Sequence, residues 1–380
     1  MVQNILNFKS YKRKKILIIL TLLIIALELS LTSYSFCNSE KPIKIHNLDE
    51  LQKIEDNLNE NYILAEDINA TETQNWNNGK GFNPIGKNSE YPFTGTFDGE
   101  GHVIENLHIN RPKKEHVGLF GFIKNSEIKR IGLKNAEIKG GSTTGGIVGR
   151  NDEGKISNSF AKNFEISGAK AGGLIGFNYK GELVNSHSAG SVKGDYIGGL
   201  VGINYVNSIV KNSYSTSNVS GKEKVGNLIG ANRLRGTVID SFFDRSLSEE
   251  NKAIGKNGGT TSNVKALSTV EMTNVSIFND AGWNITAVYT SKNRNVDYIW
   301  NIVNGETYPF LSWETQKTIT EIEKSSEENT NVDENNGVPV KRPGEYFEET
   351  KTWTKILLIG ILITTIVIGI KSKLEKRKNS

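Results

Sequence analysis

A four-residue unit of glycine, two apolar residues and glycine returns along this chain at a nearly fixed interval, and no other feature constrains the fold as tightly. It reads Gly118-Leu119-Phe120-Gly121, Gly146-Ile147-Val148-Gly149, Gly173-Leu174-Ile175-Gly176 and Gly199-Leu200-Val201-Gly202, with Asn227-Leu228-Ile229-Gly230 as a fifth copy. The starts are 28, 27, 26 and 28 residues apart, a period at which self-similarity means stacked supersecondary units. Other positions keep the same period. Asn151, Asn178, Asn204 and Asn232 stand two residues after the second glycine, and Asn158-Ser159, Asn185-Ser186, Asn212-Ser213 and Asp240-Ser241 come further on. Each unit closes on Ile138, Ile166, Val192 or Val219, followed two residues later by Gly140, Gly168, Gly194 or Gly221.

Three short apolar segments are visible per period. Each is too short for a helix and too punctuated by glycine for an ordinary hairpin meander. Coiling is the alternative: one period per coil, equivalent residues about 4.8 Å apart, aliphatic columns inside, and every strand parallel to its neighbours in the coils on either side. Glycines are expected at positive-φ corners, and stacked asparagines as partners for turn backbone. Adjacent apolar residues such as Leu174 and Ile175 must face opposite sides of a regular strand. Either a corner turns both inward, or an outer apolar stripe is covered. An open stack also exposes strand edges. Asn47 and Glu50 ahead of Leu48, Leu51, Ile54 and Leu58 predict an amphipathic helix over the first coil. Trp283, Trp300, Tyr308, Phe310 and Trp313 supply aromatic bulk for the last coil.

Both ends carry membrane signals. Lys12 to Lys15 precede the apolar run Ile16 to Leu27, and small residues end at Ser35, which reads as a secretory signal peptide over 1–37. An uncleaved anchor is the alternative, at a cost of about 2.5–3.5 kcal/mol for Glu28 inside the span. Near the other end Ile356 to Ile370 holds no charge and is flanked by Trp353, Lys355, Lys371 and Lys373. Its rise of about 22 Å is short of a bilayer core of about 30 Å, so the lysines must snorkel for it to span. The basic tail predicts a single-pass protein of the cell membrane, with the repeats outside and 372–380 in the cytoplasm. The chain's net charge of +4 belongs to these ends, each with five basic residues against one acidic; the middle is net negative, which argues against nucleic acid as a partner. The single cysteine excludes an internal disulfide framework.

The repeated units, the lead-in Phe97-Asp98-Gly99 to Leu107-His108-Ile109 and the closing Tyr308-Pro309-Phe310-Leu311-Ser312-Trp313 resemble the GLUG-motif surface proteins over about Ile43 to Trp313. The resemblance implies a right-handed parallel β-helix, as in bacterial adhesins and in the non-catalytic region of some IgA-cleaving metallopeptidases. The organisation expected is a cap with the first coils over 38–117, the GLUG solenoid over 118–244, further coils and a cap over 245–313, a stalk over 314–354 and a transmembrane helix over 355–371.

No catalytic constellation stands out. None of His46, His102, His108, His116 and His187 is followed by Glu, so the His-Glu-x-x-His metal site is absent, and neither metal nor cofactor is expected. Asp152, Asp195, Asp240 and Asp244 fall at different phases of the repeat, which argues against a polysaccharide lyase or hydrolase, and Arg150, Arg233 and Arg235 read as solvated charges. Three residues after the second glycine the chain reads Asp152, Tyr179, Tyr205 and Arg233. The strip Tyr179, Tyr205 and Arg233 is therefore the candidate binding surface for an extracellular protein or glycan. The function expected is adhesion or binding without catalysis, with a polysaccharide lyase or hydrolase on the β-helix as the first alternative and a passive envelope scaffold as the second.

Overall fold

A computed structural model describes residues 41–247 and 251–314. Residues 1–40, 248–250 and 315–380 lie outside it, and with them the expected signal peptide, the expected stalk beyond Glu314, the expected transmembrane span and the expected basic tail. Among the described residues no helix is long and apolar enough to cross a membrane.

The repeats wind into an all-β parallel solenoid of the right-handed type, about six turns at about 27 residues per coil. Among the described residues twenty-four strands form one sheet wrapped around the core, and the central coils each add a strand to five ladders. Ladder A runs through Phe120–Lys124, Val148–Asp152, Ile175–Tyr179 and Val201–Tyr205 to the start of Ile229–Asp244. Ladder B holds Glu127–Lys129, Lys155–Ser157, Glu182–Val184 and Ile209–Lys211. Ladder C joins Val103–Glu105, Gly132–Lys134 and the starts of Phe160–Gly172 and His187–Gly198, then Tyr214–Ser215. Ladder D starts from His108–Asn110 and Glu137–Lys139, and ladder E from His116–Val117 and Thr143–Gly145. Sequence periodicity reveals three segments because the strands of ladder E carry Thr, Lys, Tyr and Gly rather than an apolar run, so no hydrophobic pattern marks them.

The paired aliphatics both point inward. The amides of Leu174 and Ile175 donate to one carbonyl, that of Leu200, at 3.0 and 3.1 Å; those of Leu200 and Val201 share Leu228, and those of Leu228 and Ile229 share Ala253. Two donors on one acceptor bend the strand at that point, so two successive side chains enter the core instead of alternating. Ile147, Val148, Leu174, Ile175, Leu200, Val201, Leu228 and Ile229 are all fully buried in one cluster.

The motif glycines are needed for a reason other than positive φ. Gly118, Gly121, Gly146, Gly149, Gly173, Gly176, Gly199, Gly202 and Gly230 are absent from the residues with left-handed backbone. What they lack is space: a Cβ on Gly173 would stand 2.2 Å from the carbonyl oxygen of Gly199 in the next coil, and one on Gly176 2.4 Å from the amide of Thr144. The left-handed corners fall largely to asparagine, which tolerates that region. Asn158, Asn185 and Asn212 turn the chain from ladder B into ladder C with φ of 50°, 51° and 48°. Their side chains make no ladder among the described residues; the serines beside them do. The Ser186 Oγ accepts from the Ser159 amide at 3.2 Å and donates to the Val184 carbonyl at 2.9 Å, and Ser213 and Ser241 repeat the pattern.

The first asparagine column is a side-chain ladder inside the solenoid. Each Nδ2 of Asn151, Asn178, Asn204 and Asn232 donates to the Oδ1 of the next asparagine, ending on Asn257, at 2.8 to 3.1 Å. The same amides reach turn carbonyls such as Gly154 and Gly181. Asn151, Asn178, Asn204 and Asn232 are fully buried, so each bond avoids the roughly 1–3 kcal/mol cost of an unpaired polar group.

The helix Leu48–Lys53 lies between the strands Ile43–Ile45 and Tyr62–Leu64. Its Asn47 cap accepts from the Glu50 amide, and Leu48 and Leu51 are buried. The aromatic C-terminal segment does not sit on the last coil. Its residues fold back along the outer side of ladder C, where Val103, Phe160, Tyr214 and Phe242 join Met272, Phe278, Trp283, Trp300, Ile302 and Leu311 in a second cluster. Ladder C presents an apolar or aromatic side chain outward in most coils, and this stripe needs covering. In the last coil some inward positions shrink, to Ala253, Thr261 and Ala266, while Ile254 continues the Ile229 column and is only partly buried. The strap is held at both ends: Trp283 Nε1 donates to Asp240 at 2.9 Å and Trp313 Nε1 to Asn158 at 3.1 Å. Between these points Tyr308 donates to Asp244 at 2.7 Å and Tyr214 to Pro309 at 2.6 Å.

Candidate functional site

Around the buried Asn of ladder A, the residues on either side face away from the core. They form two outward rows. One is Phe122, Arg150, Phe177 and Ile203; the other is Lys124, Asp152, Tyr179, Tyr205 and Arg233, all held in register by parallel pairing. Because the rungs stack without a shift here, like positions become neighbours in space.

The two tyrosines come together, with ring centroids 6.3 Å apart and planes tilted by 31°, and Phe177 lies 5.6 Å from Tyr205. Arg233 is paired in register with Tyr205, yet its Nε is buried without a hydrogen-bond partner. The strip Tyr179, Tyr205 and Arg233 is thus contiguous along the ladder, and its tyrosines are half-buried rather than proud of the surface.

Arg150 is not a solvated charge. Its guanidinium lies 5.3 Å from the Phe122 ring and 5.0 Å from the Phe177 ring, between the coils above and below. Asp152, two residues on, accepts from Nε at 2.8 Å and from Nη2 at 3.2 Å. A cation flanked by two aromatic rings and fixed by a forked carboxylate is held in one orientation. His116 packs edge-on against Phe122 at 5.2 Å, donates to or accepts from Thr143 at 2.8 Å, and is held below its ordinary pKa by burial and then by Arg150. Lys180 stands 5.3 Å from the Tyr179 ring and pairs with Glu153 at 2.8 Å.

Sequence reasoning missed the Phe122, Arg150 and Phe177 row, although the same period could have found it one residue after the second glycine. Two of the other aspartates, Asp240 and Asp244, are structural. Asp244 is buried and accepts from Thr269, Tyr308 and the Ser246 amide, and Asp240 accepts from Asn263. Among the described residues no group of three His, Cys, Asp or Glu is placed to hold a metal.

The GLUG motif family matches residues 140–167. A stretch of 137 residues, 34% of this chain, is 36% identical to Halomucin of Haloquadratum walsbyi, of which it spans 1%. A 60-residue stretch, 15% of this chain, is 40% identical to a Campylobacter jejuni protein named after Fe(2+) transport protein A, over 81% of that protein. Among solved structures, a Bacteroides ovatus protein named after immunoglobulin A1 protease matches with a TM-score of 0.49 and 17% identity, over 73% of this chain and 94% of that one. The matched 28-residue unit is one turn of the solenoid, and the turns on either side of it repeat the same glycine, asparagine and serine positions. The chain thus carries the GLUG motif, repeated along the solenoid.

Proposed function

We propose that this is a cell-surface adhesin, anchored by the apolar segment 355–371, that acts by binding and not by catalysis. The outer face of ladder A is its contact surface, and the partner is a protein. One observation carries this: four aromatic side chains and an oriented arginine stand in register on one side of a sheet, with Arg150 fixed between Phe122 and Phe177 beside Tyr179 and Tyr205. Tyrosine and arginine on a preordered surface are the residue types that dominate protein interfaces. Binding there costs little side-chain entropy, because the rings and the guanidinium are already packed.

The carboxylates also favour binding over glycan cleavage. Asp152 is occupied by Arg150, and Asp244 by hydroxyl and amide donors, so neither is free for acid–base work. The test is a surface-protein binding screen with the full chain, repeated with Tyr179→Ala and Tyr205→Ala together. The expected result is saturable binding that weakens on the order of tenfold or more in the variant, with melting temperature unchanged. Binding that is unaffected by the double change would overturn the assignment of the surface, and the absence of any protein partner would favour a passive scaffold.

A further inference from the structure

A second site lies in the first coils, away from the repeated ladder A rows. A cleft of about 650 Å³ opens between the helix Leu48–Lys53, the turn at Trp76 and Asn77, and Arg111. Its walls are tied together. Gln52 donates to the Asn83 carbonyl at 3.0 Å and accepts from the Asn83 amide at 2.9 Å, while Glu55 accepts from the Asn83 side chain. Arg111 donates through Nε to Phe82 at 3.1 Å and through Nη2 to Gly81 at 3.2 Å, and Asn77 donates to Gly81 at 2.8 Å. Trp76 is stacked over the buried Phe82 at 6.5 Å, which fixes the indole as one side of the cleft.

Several groups there are unspent. Among the described residues the Trp76 indole N–H, the Asp49 carboxylate and the free edge of the Arg111 guanidinium have no hydrogen-bond partner, and Arg111 has no ion-pair partner. Among the residues that line the cleft Asp49 and Glu55 balance Lys53 and Arg111, and Lys114 stands close enough to interact with Arg111 and Glu55. What it offers is an apolar ring face with carboxylate acceptors and guanidinium and amide donors around it.

We infer that this cleft binds a neutral pyranose sugar. A sugar ring has an apolar C–H face that fits an aromatic plane, and its hydroxyls both donate and accept, so it needs a site with acceptors and donors side by side. The volume falls within the range of small-ligand sites. Trp76 takes the ring face, Asp49 accepts from one hydroxyl, and Arg111 donates to another. The inference does not depend on the ladder A surface.

The test uses the full chain labelled with 5-fluorotryptophan, the Trp76 fluorine signal being identified by Trp76→Phe. Methyl glucoside, methyl galactoside, methyl mannoside and N-acetylglucosamine are titrated in turn. At least one is expected to move the Trp76 signal saturably, and Asp49→Asn to weaken that binding about tenfold. Asp49 holds nothing together in the fold, so this variant is expected to stay folded; Arg111→Gln is the second variant, with its melting temperature measured alongside. If no sugar moves the Trp76 signal, or if the shift is the same in Asp49→Asn and Arg111→Gln, the inference is overturned. Neither result bears on protein binding by Tyr179 and Tyr205, which Asp49→Asn leaves intact.

Discussion

Leu174 and Gly173 stand next to each other and fail in opposite ways when changed. Leu174 is fully buried in a column between Ile147 and Leu200, so Leu174→Ala removes packing and leaves a cavity, at a cost of about 2–5 kcal/mol. Gly173→Ala adds one methyl group 2.2 Å from a backbone oxygen of the next coil, and the coils must separate to admit it. Overpacking costs about 1–3 kcal/mol where side chains can yield, and here the obstacle is main chain. Thermal melting of the two variants should therefore show Gly173→Ala to be at least as damaging as Leu174→Ala, despite the smaller change in volume. Both are expected to lose more than Tyr179→Ala, whose ring lies outside the core. The requirement for glycine at 173 was legible in the sequence as a recurrence, but its cause was not, because the clashing atom belongs to a residue 26 positions away. Arg150 was hidden for a similar reason: its partners Phe122 and Phe177 are each about one coil distant, and only stacking makes them flank it.

The asparagine and serine ladders act as elements in their own right. Asn178 donates to Asn204 and receives from Asn151, so truncating it strands a donor in the coil before it and an acceptor in the coil after it. Asn178→Ala should cost about 1–3 kcal/mol for each group left unpaired, and amide hydrogen exchange should rise in the coils on both sides. Asn185→Gly should cost little by comparison, since Asn185 supplies a left-handed corner with φ of 51° that glycine also adopts. The two columns look alike in sequence, one asparagine per period, and their different roles depend on backbone conformation. The period, the parallel pairing and an aliphatic core could be read in advance, because they follow from recurrence and hydrophobicity; that both paired aliphatics turn inward could not, because it depends on the two amides that share one carbonyl. The strands of ladder E could not, because Thr143–Gly145 has no apolar pattern.

Across the whole described molecule, the strap ties sequence-distant coils together around a buried charge. Glu314 is 2% exposed, pairs with Lys162, and accepts from His187 at 3.1 Å. His187 is fully buried between Phe160 and Tyr214, whose ring centroids lie 5.3 and 4.9 Å from its own, with Trp300 at 5.8 Å. Burial opposes ionisation of Glu314, but Lys162 and His187 outweigh it and hold the carboxyl at about 2 instead of 4.5. Burial pushes the His187 imidazole below 6.5, with Glu314 opposing. In both cases the unfolded chain binds the proton more readily, so stability rises with pH. The His187 contribution is complete above about pH 6.5 and the Glu314 contribution above about pH 4.5; both are lost as pH falls, the latter down to about 2. Melting temperature should therefore drop in two steps on acidification, and Glu314→Gln should remove the lower one. None of this was visible in the sequence, which places Glu314 at the head of a polar linker, 152 residues from Lys162.

The described chain leaves the solenoid beside Phe160 and His187, not at the terminal coil. Under the anchoring proposed above, tension would enter the described structure through Glu314, and the contacts it meets first are the Lys162 and His187 pairs to Glu314 and the Trp313 bond to Asn158, all on the flank of the solenoid. A tether fixed to the last coil would instead load the end rung.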